Sequence, residues 1–247
     1  MSNNITNLKN IKLYSTNSPN VAKVYIFLSH LQLPFEVIPI SFRKGEQYSD
    51  EFIAINPNSK IPVIIDTNRI GEDGKPVKVW ESGNILIYLA KNYGKGLYLP
   101  NEETNPTSHY EVLNFLFLQM ASVGPTLGQL YHYTFYAQEK VEYAINRHAT
   151  EARRLLSVLN RQLSTRSFVA GDELSVADFA IFPWTRLIQY FAPHIVASDY
   201  PFLVEYNQRL EQFESTKAFK LYDESFKGSN QKPLNDDERK VLFGRDH

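Results

Sequence analysis

Two hydrophobic periods run along this chain, and the change from one to the other divides it. Ile11-Lys12-Leu13-Tyr14-Ser15 alternates at period two and predicts a first strand. Asn17-Ser18-Pro19-Asn20 follows as a turn whose proline suits the first position of a helix. That helix carries Val21, Val24, Ile26, Phe27, Leu28 and Leu31 at spacings of three and four, and Pro34 ends it. Phe35-Glu36-Val37-Ile38-Pro39-Ile40 predicts a second strand, which Pro39 assigns to a sheet edge. The charged loop Arg43-Lys44-Gly45-Glu46-Gln47 leads to a short helix near Asp50–Ile55. Ile61-Pro62-Val63-Ile64-Ile65-Asp66 predicts a buried strand, joined through Gly71-Glu72-Asp73-Gly74-Lys75 to Val77-Lys78-Val79-Trp80 as a hairpin. A helix from Ser82 to Tyr93, with Ile85, Leu86, Tyr88 and Leu89 inward, completes the order β-α-β-α-β-β-α.

From Gly94 to Pro106 the chain is rich in Gly, Pro, Asn and Glu and reads as a linker, and beyond it the strand signals vanish. Tyr110–Met120 predicts a helix, and Glu139–Leu163 a longer one with Val141, Ile145, His148, Ala152, Leu155, Leu159 and Leu163 along one stripe. Ser175-Val176-Ala177-Asp178 reads as a helix start, the serine capping and Asp178 reaching back, with Leu174 and Phe179 as a hydrophobic staple. Phe202–Glu214 is the next helix, and the tail from Lys227 to His247 is polar and reads as irregular. The expected fold is α/β plus all-α: a flexible arm at 1–10, an α/β domain at 11–95, a linker at 96–106, an all-helical domain at 107–226 and a polar tail at 227–247.

Composition narrows the chemistry. With 247 residues, 43% of them hydrophobic, the chain can bury a sizeable core. Lys+Arg 26 against Asp+Glu 27 lacks the basic excess of a nucleic-acid binder, so no nucleic-acid partner is expected. Cysteine is absent, which excludes disulfides, cysteine-ligated zinc, iron–sulfur clusters and any thiol nucleophile of the protein's own. The six histidines show no metal-ligand spacing with carboxylates, so no metal is expected. No apolar run reaches the ~18 residues of a membrane span, and Met1-Ser2-Asn3-Asn4-Ile5-Thr6 lacks the apolar core of a signal peptide. The expectation is a soluble, cytoplasmic protein with no membrane partner.

Three candidate sites fall at strand ends in the first domain, where open α/β sheets place ligands. Ser18 and Asn20 at the first strand-to-helix turn, with the helix N–H groups, suit an anion, or Ser18 simply caps the helix. Lys60-Ile61-Pro62 opens the third strand. A cis bond at Pro62 would turn the Ile61 backbone outward to pair with an extended peptide, while a trans bond would leave an ordinary strand start. In Trp80-Glu81-Ser82-Gly83 a carboxylate precedes a serine that opens a helix, a pair that suits the ammonium and carboxylate of an amino acid, or again a plain cap. Arg153-Arg154 with Arg161 and Arg166 reads as a solvated helix face, and Asp236-Asp237-Glu238 as a solubilising tail.

Ile61-Pro62, Glu81-Ser82-Gly83 and Leu174-Ser175-Val176-Ala177-Asp178 together resemble the cytosolic glutathione transferases, with a thioredoxin-like N-terminal domain and an all-helical C-terminal one. Within that superfamily the chain is most similar to the nu class and the fungal nitrogen-regulator-like members. That likeness rests on Ser18-Pro19-Asn20, Asn56-Pro57-Asn58-Ser59-Lys60-Ile61-Pro62, Gly124-Pro125-Thr126-Leu127-Gly128-Gln129 and Tyr143-Ala144-Ile145-Asn146-Arg147. The resemblance implies that Ser18 and Asn20 stand beside a glutathione sulfur. It implies Gln47 at the glycyl end, Lys60, Ile61 and Pro62 along the cysteinyl unit, Glu81 and Ser82 on the γ-glutamyl group, and Arg147 reaching in from the helical domain. Two departures stand out: Ser18 where the nu class has Thr, and Val21 where it often has Gly.

The activity implied is glutathione-dependent disulfide-bond reduction, with both sulfurs of the exchange carried by ligands: two glutathiones, or one oxidised dimer, per site. Conjugation of glutathione to an electrophile is the alternative enzyme activity, and non-catalytic glutathione binding as a regulatory module the alternative outside enzymology. Tyr14 is a rival thiol donor by analogy with other transferase classes, or a core residue of the first strand. Tyr131-His132-Tyr133-Thr134-Phe135-Tyr136 could wall the second half of a disulfide, or pack as core and interface. The family implies a homodimer.

Overall fold

The computed structural model describes residues 8–188, 192, 195, 197–224 and 234–244. Its contacts divide into two compact units, one of residues 1–88 with 214–247 and the other of 89–213.

In the first unit β1 (Ile11–Ser15) sends Ile11, Leu13 and Ser15 to the buried side, as its alternation predicts. β2 (Phe35–Pro39) runs parallel to it, and β3 (Val63–Ile70) and β4 (Pro76–Trp80) follow antiparallel, giving the order β2-β1-β3-β4. Pro39 lies on an edge strand, where its missing donor costs no ladder bond. β3 begins at Val63 and runs to Ile70, two residues later and four further than the apolar run predicts. The extension is polar, which hid it. Asp66, the last residue of the predicted run, is buried and accepts from the Tyr88 hydroxyl at 2.7 Å and from the Asn68 N–H at 2.9 Å.

α1 (Pro19–His30) starts on a serine cap and a proline. α2 (Asp50–Ile53) is one turn capped by Ser49, shorter than the predicted Asp50–Ile55. α3 spans Ser82–Tyr93 as predicted. The chain returns to this unit at its end. α9 (Glu214–Glu224) lays Tyr222 flat on Tyr25 of α1 at 4.7 Å, with Phe219 edge-on at 5.5 Å, and the Tyr222 and Ser15 hydroxyls share a hydrogen bond of 2.7 Å.

The tail corrects the sequence reading. Asp236–Phe243 forms α10, where polarity predicts irregular chain, and Asn235 and Glu238 close a capping box at its start. Nor is Asp236-Asp237-Glu238 merely solubilising: Glu238 accepts from Arg43 Nη1 at 2.9 Å. The rest of the tail, 227–233 and 245–247, lies outside the described residues. Replacing Glu238 with Ala removes both the ion pair and one half of the capping box, and is expected to shift the midpoint of a denaturant titration only slightly, since both partners of the pair are partly wet. A large shift of the midpoint would mean that Glu238 holds more than the start of α10.

The second unit is helical among its described residues. α4 (Pro106–Leu118) starts at its proline, earlier than the predicted Tyr110, and α6 (Glu142–Leu163) starts three residues later than predicted. Between them α5 (Gly124–Tyr131), flanked by π-helical turns at Gln119–Val123 and His132–Tyr136, went unpredicted because Gly124-Pro125 reads as a breaker. The glycine is there for room: a Cβ at Gly124 would come within 2.8 Å of Gln119 Nε2. α7 (Val176–Thr185) is buried along its whole length, with α8 (Pro201–Glu211) near the predicted Phe202–Glu214. At the head of α7 the expected capping box is present. The Asp178 carboxylate accepts from Ser175 N–H at 2.8 Å and Oγ at 2.9 Å, from Val169 N–H at 3.0 Å and from the Tyr206 hydroxyl at 3.1 Å. Arg154 and Arg166 are tied to Glu151 and Glu111, each at 2.7 Å, as befits a solvated face rather than a basic patch. Among the described residues no helix is long and apolar enough to cross a membrane.

Candidate functional site

The β1–α1 turn is organised by Ser18. Its backbone is extended (φ −153°), its carbonyl accepts the Ala22 N–H at 3.0 Å and its Oγ accepts the Val21 N–H at 3.2 Å. The serine therefore does cap the helix. A hydroxyl that accepts through its oxygen still has its own proton to donate, so capping and anion binding are compatible roles of one group. Asn20, half-buried, lies two residues on.

Val21 then dips into a buried cluster with Phe52, Ile61 and Val63, against which Tyr14, Ile40, Phe42 and Ile55 pack. This cluster sets the β1–α1 turn against the start of β3. There the Ile61–Pro62 bond is cis, the candidate geometry rather than the ordinary one. The ladder opens only at Val63, opposite Tyr14 and Trp80, so Ile61 and Pro62 precede it and stay outside its pairing. Lys60 is exposed, and its carbonyl is gripped by Asn56 Nδ2 at 2.7 Å.

Glu81 sits at φ 67°, a left-handed conformation that few side-chain-bearing residues adopt. Its carbonyl accepts the Ile85 N–H at 2.9 Å, so Glu81, and not Ser82, occupies the capping position of α3. Its exposed carboxylate receives Asn58 Nδ2 at 3.3 Å, tying it to the loop that delivers the cis bond. Ser82 is buried as the first helical residue, and its Oγ accepts from Lys23 Nζ at 3.2 Å. Gln47, in the tight turn after left-handed Gly45, is only 3% exposed, yet its Oε1 has no hydrogen-bond partner. A buried acceptor left unmade costs roughly 1–3 kcal/mol.

Ser18, Asn20, Gln47, Lys60, Ile61, Pro62, Glu81 and Ser82 all belong to the first unit. Arg147 does not: it is exposed on α6 of the second, where its charge, after burial, helps hold the His148 pKa down. Tyr14 is edge-on to Phe52 at 5.9 Å, and burial, then the Glu36 charge, push its pKa up; this is the packing of a core residue. The aromatic run is mixed. Tyr131 packs against Phe135 and Tyr136 and burial lifts its pKa to about 12, Tyr133 stacks on His148 at 5.7 Å, and Phe135 is 48% exposed.

The residue that pattern reading passed over is Lys23. It is fully buried on α1, and burial, opposed by the Glu81 charge, pulls its pKa down to about 7. The signal was present: Lys23 precedes buried Ile26 and Phe27 by three and four, which puts a lysine on the apolar stripe.

The chain matches the descriptions "Glutathione S-transferase, N-terminal domain" over residues 9–91 and "Glutathione S-transferase, C-terminal domain" over residues 114–214. It is 34% identical to the disulfide-bond oxidoreductase YfcG of Escherichia coli, over 83% of this chain and 92% of that protein. It is similar to the structure of a glutathione transferase homolog from Lodderomyces elongisporus with two GSH per subunit: TM-score 0.80, 34% identity, 87% of this chain and 99% of that one. A Pseudomonas putida glutathione transferase with one glutathione disulfide bound per subunit aligns with TM-score 0.77 at 34% identity, over 85% and 90% of the two chains. The two units are thus a thioredoxin-like domain and a helical partner of the kind that defines glutathione transferase-like enzymes. The chain belongs to the glutathione S-transferase family.

Proposed function

We propose that this enzyme reduces disulfides at the expense of glutathione, holding the tripeptide on the first unit and supplying no sulfur of its own. The observation that carries the proposal is the Ser18 cap: its Oγ takes the Val21 N–H and its proton remains a donor at a helix N-terminus, in a chain without cysteine. A thiolate needs such donors, because a free thiol near ~8.5 is mostly protonated at neutral pH. The relatives named above, a disulfide-bond oxidoreductase and proteins holding two glutathiones or one glutathione disulfide, support the same reading.

The roles follow from chemistry. Ser18 and Asn20 stabilise the sulfur anion, and the Ile61 backbone, outside the ladder, pairs with the cysteinyl unit beside Lys60 and Pro62. Glu81 faces the γ-glutamyl ammonium and Ser82 its carboxylate. The amide of Gln47 meets the glycyl end. The exchange proceeds in two displacements. One glutathione thiolate attacks the substrate disulfide, forming a mixed disulfide and releasing a substrate thiolate that takes up a proton. A second glutathione thiolate attacks the mixed disulfide, forming oxidised glutathione and releasing the other substrate thiolate. Two electrons pass from two glutathiones to the substrate.

The test is reduction of a small model disulfide by glutathione, coupled to NADPH consumption through glutathione reductase. Turnover well above the uncatalysed rate is expected. A flat trace would overturn the assignment and leave conjugation to an electrophile, or binding without turnover.

Glu81→Gly makes a second check. Relief of the left-handed strain should leave the unfolding free energy unchanged or raise it by up to ~1 kcal/mol. Loss of the carboxylate should weaken glutathione binding by about tenfold or more. Unchanged affinity in calorimetry would remove Glu81 from the site. The same reading carries a homodimer, supported by Tyr110 and Phe117, 51% and 60% exposed two turns apart on α4; sedimentation measures it.

A further inference from the structure

A buried lysine is an expensive choice for an apolar helix face. Lys23 lies on α1 between buried Ala22 and Val24, at 0% exposure, and an uncompensated ammonium there costs several kcal/mol. Its Nζ donates to Ser82 Oγ at 3.2 Å, and Glu81, the residue before Ser82, is the charge that acts on it. Lys23 thus stands directly behind the two residues assigned above to the γ-glutamyl group.

We propose that Lys23 is a positioning residue of the γ-glutamyl subsite, and that its buried amine takes up a proton when the ligand's carboxylate arrives at Ser82. This rests on the glutathione reading of the site. An ammonium can only donate, so its bond to Ser82 Oγ fills an acceptor site of that hydroxyl and turns the single Ser82 proton toward another acceptor. A carboxylate at Ser82 is that acceptor, and its negative charge lies one hydroxyl away from Nζ. The ligand therefore favours the charged form of Lys23, and by linkage the charged form favours the ligand.

The sign follows from Lys23 titrating at about 7 in the free protein. Well below that pH the amine is already charged, so affinity is level. Above it the complex holds a proton the free protein has lost, and affinity weakens by up to about tenfold per pH unit. The other titratable groups on the elements around α1 include Lys12 and Tyr14 on β1, Asp66 and Arg69 on β3, Tyr88, Lys91 and Tyr93 on α3, Glu214, Lys217, Lys220, Tyr222, Asp223 and Glu224 on α9, and Tyr25 and His30 on α1 itself. Burial raises Tyr25 and Tyr222 further above 10 and lowers His30 below 6.5, so none of these three crosses its midpoint between pH 7 and 8.

The test uses the full chain and S-methylglutathione, which has no thiol to ionise. Binding is measured calorimetrically in buffers of different ionisation enthalpy, which counts protons. Wild type is expected to take up more than about half a proton per ligand at pH 7.5 and almost none at pH 5.5. Lys23→Met should take up none at either pH and bind at least about tenfold more weakly at pH 6, while Lys23→Arg, permanently charged, should recover affinity without proton uptake. Wild-type binding at pH 7.5 without proton uptake overturns the inference, as does uptake undiminished in Lys23→Met. The wild-type proton count decides even if the methionine variant does not fold. Failure of wild type to bind S-methylglutathione at any pH would instead overturn the glutathione reading, and this inference with it.

Discussion

Glutathione-dependent disulfide reduction at pH 7 is expected to fall between about tenfold and a hundredfold in the variant Ser18→Gly/Asn20→Ala, with its pH profile moved up by about two units. Glycine is chosen at position 18 because it caps a helix to within a few tenths of a kcal/mol of serine, so the Val21 end of α1 survives while the hydroxyl is lost. A two-unit depression of a thiol pKa represents about 2.7 kcal/mol of preferential thiolate stabilisation, which two hydrogen bonds to a charged acceptor can supply. Without it the thiolate fraction at pH 7 drops from roughly three-quarters to about 3%. The more basic thiolate is the better nucleophile, which returns part of that loss, while poorer alignment adds to it. The pH profile is therefore the deciding readout. If it stays put in the double variant while Ser18→Thr also matches wild type, the sulfur is held elsewhere.

The largest effect on stability belongs to Asp178. Its carboxylate gathers four donors from Val169, Ser175 and Tyr206 at complete burial, and α7 behind it is buried throughout. Asp178→Ala strands those donors and is expected to cost about 3–5 kcal/mol, a large share of the whole for a protein of ordinary stability. Chemical denaturation measures it, and a loss under ~1 kcal/mol would mean that water replaces the carboxylate. Asp178 also imposes a pH dependence. Burial lifts its pKa from 3.8 to about 6, against the hydrogen bonds that pull it down. Between those values the native chain holds a proton that the unfolded chain has released. The contribution is fully present below 3.8 and is lost as pH rises through about 6. Wild type should therefore lose roughly 1–3 kcal/mol relative to Asp178→Asn between pH 4 and 7. A difference that grows with pH would show that the four donors outweigh burial.

The elements best read from the sequence were those whose burial is one-sided and local. β1, α1 and α3 carry their periodicity, cap and proline within a dozen residues, and the structure has them at or within a residue or two of the predicted bounds. Ser175-Val176-Ala177-Asp178 was legible for the same reason: a capping box is a contact between residues three apart. The second half of β3 was not, because Thr67-Asn68-Arg69 is polar and spans a register shift in the ladder with β4, which resumes only at Ile70 opposite Pro76. α5 hid behind Gly124-Pro125, and only the nearness of Gln119 and Trp184 explains that glycine.

The candidate site divides along the same line. Residue types and their order supplied Ser18, Asn20, Ile61-Pro62 and Glu81-Ser82, since a hydroxyl before a helix and a proline before a strand are chemical statements at short range. Which conformer Pro62 takes, that Glu81 and not Ser82 caps α3, and that Gln47 buries an unmet acceptor are outcomes of packing between segments far apart in the chain. Lys23 shows the limit most clearly. Its spacing marks it as buried, but 59 residues separate it from the Ser82 hydroxyl it meets. Local sequence sets periodicity, caps and the kinds of chemistry on offer, because those depend on neighbours within a turn. Tertiary structure alone brings distant groups within hydrogen-bonding distance and removes their water, and that desolvation gives Lys23 and Asp178 their altered charge.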